Sequence, residues 1–173
     1  MDLTPTTQKF ILHWGEMGSR WGINRTVAQI HALLYIAERP LPADEIAETL
    51  QVARSNVSSS LKELDSWGIL HRVPVLGDRR DHFTTTTDVW TMFRVILDER
   101  KRREIDPTLE LLRECVAEAK GTDPHVHGRL SNLLGLVSAM TSWYVSVAAL
   151  PGQALEKFLK LGAKVPKLLG SAA

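Results

Sequence analysis

A change of period at Gly68 constrains this chain more than any other feature. Before it, Val57, Leu61 and Leu64 recur at i, i+4 and i+7, the spacing that lines one face of an α-helix. After it, residues 69–75 (Ile-Leu-His-Arg-Val-Pro-Val) and 82–87 (His-Phe-Thr-Thr-Thr-Thr) have the β-branched content of paired strands. Gly68 suits the left-handed position that stops a helix. Residues 76–81 read as a turn, with Gly77-Asp78 followed by Arg79 and Arg80. The segment has to fold as a helix that stops sharply and feeds a basic-tipped hairpin.

A shorter helix precedes it. In residues 41–50, Pro42 is tolerated in a first turn, Asp44 and Glu45 favour the positive end of the helix dipole, and Ile46, Ala47 and Leu50 share a face. Residues 51–53 make a tight break, with Val52 as an apolar plug. On the helix of residues 54–67, a rotation of about 100° per residue sets Ser55, Ser59 and Lys62 opposite the apolar stripe, with Asn56 and Ser58 on its flanks. Helix, short turn, helix, hairpin is the layout of a winged helix-turn-helix, which puts one helix in the major groove of DNA and its wing in the adjacent minor groove. Short hydroxyl side chains allow close approach to bases and phosphates. Arg54, Ser55, Asn56, Ser58 and Ser59 are the candidate readers, and Lys62 is the candidate phosphate anchor. Arg79 is the candidate for minor-groove insertion, with Arg80 on the DNA backbone, because narrow A·T grooves attract arginine.

These residues also resemble a known family. Trp14-Gly15-Glu16, Pro40-Leu41 leading into Asp44-Glu45-Ile46-Ala47, Arg54-Ser55-Asn56-Val57-Ser58, Leu61-Lys62-Glu63-Leu64, Trp67-Gly68, Gly77-Asp78-Arg79-Arg80-Asp81 and the run from Glu99 through Arg103 to Pro107 are similar to the GbsR-like branch of the MarR superfamily. The resemblance covers roughly residues 8–118. It implies a dimeric winged-helix transcriptional regulator, often a repressor and often ligand-responsive, whose N-terminal helix joins the dimer interface. One departure is Ala53, where many relatives carry a Ser cap. Such a loss costs about 1 kcal/mol unless another side chain such as Ser55 compensates.

The whole chain sets limits on these expectations. Its 173 residues suffice for a sizeable core, and 44% hydrophobic and 24% charged residues are ordinary for a soluble globular protein. The formal net charge is only +1. Across residues 52–83, five cations (Arg54, Lys62, Arg72, Arg79, Arg80) stand against four acids (Glu63, Asp65, Asp78, Asp81). DNA affinity then depends on where a few cations are placed, and a two-fold dimer doubles their number. One cysteine, Cys115, excludes an intrachain disulfide framework and suits a reducing cytoplasm. The N-terminus lacks the pattern of an export signal, and no run approaches the length of a membrane span.

The flanking segments read as helices. Thr4-Pro5 caps a first helix whose stripe is Phe10, Trp14, Met17 and Trp21, with Gly15 and Gly18 suggesting a close neighbour. Asn24 caps the next, which buries Val27, Ile30, Leu33, Leu34 and Ala37; Arg25 and Gln29 near its start are candidate phosphate contacts. Asp88 caps a long helix carrying Val89, Phe93, Ile96 and Leu97, then the basic run Arg100, Lys101, Arg102 and Arg103, read as a solvated face paired with Asp98, Glu99 and Glu104. Pro107 kinks or restarts the helix, with Asp106 as a new cap, and Leu109, Leu112 and Val116 carry the stripe on. After Asp123-Pro124 a helix from Leu130 to Val147 is apolar on more than one side, which calls for a second subunit. A short helix follows Pro151, and Lys157, Lys160, Lys164 and Lys167 make the tail basic. The resulting fold class is mainly α: an N-terminal dimerisation helix (1–22), a winged helix-turn-helix with a two-stranded β-wing (23–88), and a C-terminal helical dimerisation region (89–173).

No catalytic constellation is present: there is no phosphate-binding glycine loop, nucleophile elbow or Cys-Cys pair, so neither an enzyme nor a cofactor is indicated. His125 and His127 diverge on a helix and read as surface, not metal, and Cys115 reads as a packing group. Of five tryptophans, Trp14, Trp21 and Trp90 are the candidates for a ligand pocket. An aromatic cage suits a quaternary ammonium, and the resemblance points to that class in some members. The partners implied are double-stranded DNA, a second copy of the chain and an unidentified small-molecule effector. The competing reading is a winged helix used only for protein interaction.

Overall fold

The computed structural model describes residues 3–162, and the chain divides into two compact units, Met1–Ile96 and Leu97–Ala173. In the first unit, α1 (Pro5–Arg20) is capped by the Thr4 hydroxyl, which accepts the Thr7 N–H. Its buried face is Ile11, Gly15 and Gly18, and not the aromatic stripe. Phe10, Trp14 and Met17 are half-buried and Trp21 is exposed. The cause is the closeness of α2 (Arg25–Ile36). A Cβ on Gly18 would lie 2.5 Å from Ala28 Cβ, and one on Gly15 would lie 2.6 Å from Gln29 Cγ. Two residues that weaken the helix locally are what let the two helices meet. Asn24 caps α2 by accepting the Thr26 N–H, and Val27, Ile30, Leu33 and Leu34 form the centre of the core.

The wing has one more strand than expected. Residues 41–42, read as a helix start, are instead strand β1 (Leu41–Pro42), and α3 (Ala43–Leu50) begins after it. Leu41 precedes a proline and is driven to extended backbone, and Pro42 suits an edge where no N–H is required. A left-handed Gln51 (φ 53°) closes α3, and α4 (Arg54–Ser66) follows. Strands β2 (Leu70–Val75) and β3 (Asp78–Thr85) make the hairpin, and the antiparallel sheet runs β1-β3-β2, with Leu41 opposite Phe83 and Pro42 opposite His82. Only Leu76 and Gly77 remain in the turn, so Arg79 and Arg80 belong to β3. Between the pairs Val73–His82 and Val75–Asp78, Pro74 alone stands against Arg79, Arg80 and Asp81. Pro74 has no ladder donor, and the strand bulges on the side that carries the arginines.

Helix α5 (Val89–Arg100) crosses the boundary between the units and is capped by Asp88, which accepts the Trp90 and Thr91 N–H groups. Val89 and Phe93 on it are exposed, so the expected stripe is not a buried one. A π-turn (Lys101–Ile105) carries the chain directly into α6 (Asp106–Ala119). Asp106 was expected to cap a new helix. It binds the Lys101 ammonium at 2.7 Å instead, because the wider turn absorbs Pro107 without breaking the helical path. In the second unit, α6 packs on α7 (Pro124–Ala148), which Asp123 caps, and α8 (Gly152–Gly162) sets Phe158 6.1 Å from Trp143. No residue of α7 is buried within the chain, and Leu136, Met140 and Trp143 are each more than half exposed. Lys160 pairs with Glu156; Lys164 and Lys167 lie outside the described residues.

The α1–α2 seam yields a contrast between two glycines. Gly18→Ala drives a methyl into Ala28 Cβ on a packed helix, and overpacking of that kind costs about 1–3 kcal/mol, more than the gain in helix propensity. Gly15→Ala meets the side chains of Gln29 and Arg25, which can move aside, and should cost less than Gly18→Ala. Urea unfolding should show a net loss for Gly18→Ala alone, part of it recovered in combination with Ala28→Gly.

Candidate nucleic-acid interface

The seating of α4 decides which side chains face outward. Val57, Ser60, Leu61 and Leu64 are buried, which leaves Arg54, Ser55, Asn56, Ser58, Ser59 and Lys62 exposed together on the opposite side. Ala53 occupies the N-cap with no side-chain bond, and Ser55 does not replace it: its hydroxyl has no hydrogen-bond partner among the described residues. Unpartnered hydroxyls on an exposed helix face are free for base edges or phosphates.

Most nearby cations already have partners. The Arg80 Nε–H donates to both carboxylate oxygens of Asp78 at 3.0 Å, and Nη1 donates to Asp44 Oδ2 at 2.6 Å. The guanidinium holds Asp78 and Asp44 below the usual carboxylate range, and the two acids hold Arg80 above its own. Arg54 Nη1 lies 3.9 Å from the other Asp44 oxygen. Arg72 lies 3.6 Å from Asp65 and 3.9 Å from Asp81. Among the described residues, Lys62 and Arg79 have no carboxylate within ion-pairing distance. Sequence reading supplied Asp78 but missed Asp44, which stands 36 positions before Arg80 and looks like a helix-start acid. A cleft of about 330 Å³, lined in part by Asp44, Arg54, Ser58, Lys62, Arg72 and Arg80, lies between α4 and the wing.

The remaining candidates fall elsewhere. Arg25 and Gln29 sit on the α1–α2 seam, where Arg25 lies 3.8 Å from Glu16 and the Gln29 stem fills the space over Gly15. In the basic run, Arg100 pairs with Glu104, Lys101 with Asp106, and Arg102 and Arg103 with Glu99. Asp98 instead accepts the Tyr144 hydroxyl. Trp14 and Trp21 line one cleft with Met17, Ile23, His31 and Trp67. Trp14 also lines a second cleft of about 220 Å³ with Phe10, His31, Tyr35 and Met92; Trp90 lines neither. Both linings lack a carboxylate, so they would suit an apolar body better than a cation. Among the described residues no group of three or more His, Cys, Asp and Glu could hold a metal, and no helix is long and apolar enough to cross a membrane. Cys115 is half-buried with a free thiol.

Comparison with known proteins fits this geometry. Residues 21–81 match the model of the MarR family, the segment that spans α2, α3, α4, β2 and the first half of β3. Over that segment the chain resembles the winged helix of the MarR family. A curated relative is the HTH-type transcriptional repressor GbsR of Bacillus subtilis (strain 168), 22% identical over 98 residues. The match takes in 57% of this chain and 54% of GbsR, so it spans about half the length of that relative. A solved structure described as a transcriptional regulator aligns with 90% of this chain and 99% of its own at 18% identity and a TM-score of 0.63, which establishes the shared fold. The transcriptional regulator Tm0710 from Thermotoga maritima aligns with 79% of this chain and 92% of its own, at 21% identity and a TM-score of 0.40. The MarR family and these relatives are transcriptional regulators, not enzymes.

The burial of His31 on α2 has a measurable consequence. His31 is 4% exposed, its Nε2 has no hydrogen-bond partner, and burial pushes its pKa down to about 4. An unfolded chain takes up this proton near pH 6.5, whereas the fold resists it until about 4, so the unfolded state binds more protons between these values. Stability is then full above about pH 6.5 and falls as pH drops toward 4, by an amount on the order of 2–3 kcal/mol. His31→Gln should flatten that part of the curve when unfolding free energy is measured from pH 7 to pH 4.

Proposed function

We propose that this chain is a transcriptional repressor that binds a pseudo-palindromic operator as a homodimer, with α4 in the major groove and the wing in the minor groove. The observation that carries the reading is the outer face of α4. Arg54, Ser55, Asn56, Ser58, Ser59 and Lys62 are exposed as one surface, beside a wing whose Arg79 has no acid partner among the described residues. Arg54, Ser55, Asn56 and Ser59 read bases, Ser58 supports them at the flank, and Lys62 holds phosphate. Arg79 enters the minor groove, where a dehydrated guanidinium meets concentrated negative potential. The chain's single cysteine, Cys115, suits the reducing cytoplasm in which such a regulator would act. An effector would take the cleft of about 220 Å³ lined by Phe10, Trp14, His31, Tyr35 and Met92, which offers aromatic walls and the unpaired His31 Nε2 to an apolar ligand with one hydrogen-bonding group.

The pairing of Arg54, Arg72 and Arg80 with acids favours a second reading, a winged helix that contacts another protein. DNA titrations on duplexes selected from a randomised pool separate the two. Asn56→Ala should alter sequence preference by about 1–3 kcal/mol of discrimination, while Lys62→Ala should weaken all duplexes alike and reduce the salt slope. Arg79→Ala should lose affinity selectively on A·T-flanked duplexes. Wild-type protein that shows no preference in the selection would leave the protein-interaction reading standing.

The dimer rests on α7. Leu133, Leu136, Met140 and Trp143 are 46–62% exposed, apolar area that one chain leaves in water. Sedimentation should give the mass of two chains at micromolar concentration. Replacing Leu136 and Met140 together with Glu should yield a monomer and weaken operator binding.

A further inference from the structure

We infer that Asp44 is a positioning residue for DNA binding: through Arg80 and Arg54 it ties the wing to the start of α3 and of α4, and so sets where Arg79 meets the DNA. The inference rests on the DNA-binding reading above, and its starting point is how little else holds the wing. Strand β1 pairs with β3 only at His82 and Phe83. Beyond His82 the hairpin has no backbone partner among the described residues apart from β2, and that ladder is interrupted at Pro74. Leu76 at the tip is fully exposed. Residues 74–81 therefore depend on side chains for their position.

Arg80 supplies the shortest of these ties. Its planar fork grips Asp78 from its own strand through Nε and Nη2, and its remaining nitrogen reaches Asp44 at 2.6 Å. A guanidinium fixed at three nitrogens holds direction as well as distance. The second oxygen of Asp44 faces Arg54, the first residue of α4, at 3.9 Å. One carboxylate thus faces the cations of two DNA-facing elements. Arg72, 3.6 Å from Asp65 of α4, adds a looser tie from β2. Arg80 is spent on this brace, and its neighbour Arg79 is left as the cation on offer.

Charge alone predicts the opposite role. Asp44, Asp78 and Arg80 together carry one net negative charge, so an acid at this surface should repel phosphate, and its removal should tighten binding. Positioning predicts that removal loosens the wing and weakens binding. The two accounts differ in sign.

The test uses Asp44→Asn, Arg80→Gln and the double variant in the full chain. In the free proteins, hydrogen exchange should quicken at the amides of residues 74–82 in all three, with the α2 amides unchanged. On duplexes selected by the wild type, Asp44→Asn should bind about five-fold more weakly, near the upper end of what an exposed ion pair contributes. It should also lose the distinction between A·T and G·C flanks. The double variant should be no worse than the weaker single one, because both residues act through one brace. Equal or tighter binding by Asp44→Asn, or unchanged exchange in the wing, overturns the role of Asp44 while leaving DNA binding intact. Failure of the wild type to select any duplex overturns the DNA reading itself, and this role with it.

Discussion

The rotation of α4 about its own axis is the constraint on which the rest of the interface depends. Val57, Leu61 and Leu64 are at most 5% exposed and pack into a core shared with Ile30, Leu33 and Leu34 of α2. Burying each such side chain contributes roughly 1.5–3 kcal/mol. A turn of α4 by one residue would expose that stripe and bury Asn56 or Ser58 without partners. The outward face is therefore set by what the inward face must avoid. The core in turn depends on α1, whose close approach to α2 requires that Gly18 carry no Cβ against Ala28.

Electrostatics refine a surface that packing has already chosen. The chain is nearly neutral, and the interface is no basic patch: acids sit beside most of its arginines. In such a surface specificity comes from which cations are tied and which are open. The pairs around Arg80 and Arg72 are more than half exposed on the arginine side, so each contributes modestly to stability. Their larger effect is geometric, since they join elements that the backbone leaves loosely connected. The second unit shows the same division of labour. Its basic run is paired with neighbouring carboxylates, whereas α7 keeps an apolar face in water.

Much of the helical layout of both units was legible because its signals are local. A cap at Thr4, Asn24, Asp88 or Asp123 needs only residues two or three positions away, and the structure has all four. The stripe on α4 and the stop at Gly68 are likewise properties of a short window. The motifs from Arg54 to Asp81 sufficed to indicate the MarR family for the same reason, being contiguous and ordered along the chain.

What tertiary structure alone decided involves partners distant in sequence. Strand β1 exists because Leu41 and Pro42 find His82 and Phe83, and no periodicity in residues 41–42 announces it. The buried face of α1 runs through its glycines and not its aromatics, because the distance to α2 outweighed hydrophobicity. Asp106 left its expected capping role once the π-turn kept the chain helical past Pro107. Asp44 meets Arg80 across 36 positions, an ion pair that spacing does not encode. The sequence by itself determined the elements and the outward face of the reading helix, since both follow from the period of nearby residues. Which cation is braced and which is free was decided only in three dimensions, where the wing folds back onto α3.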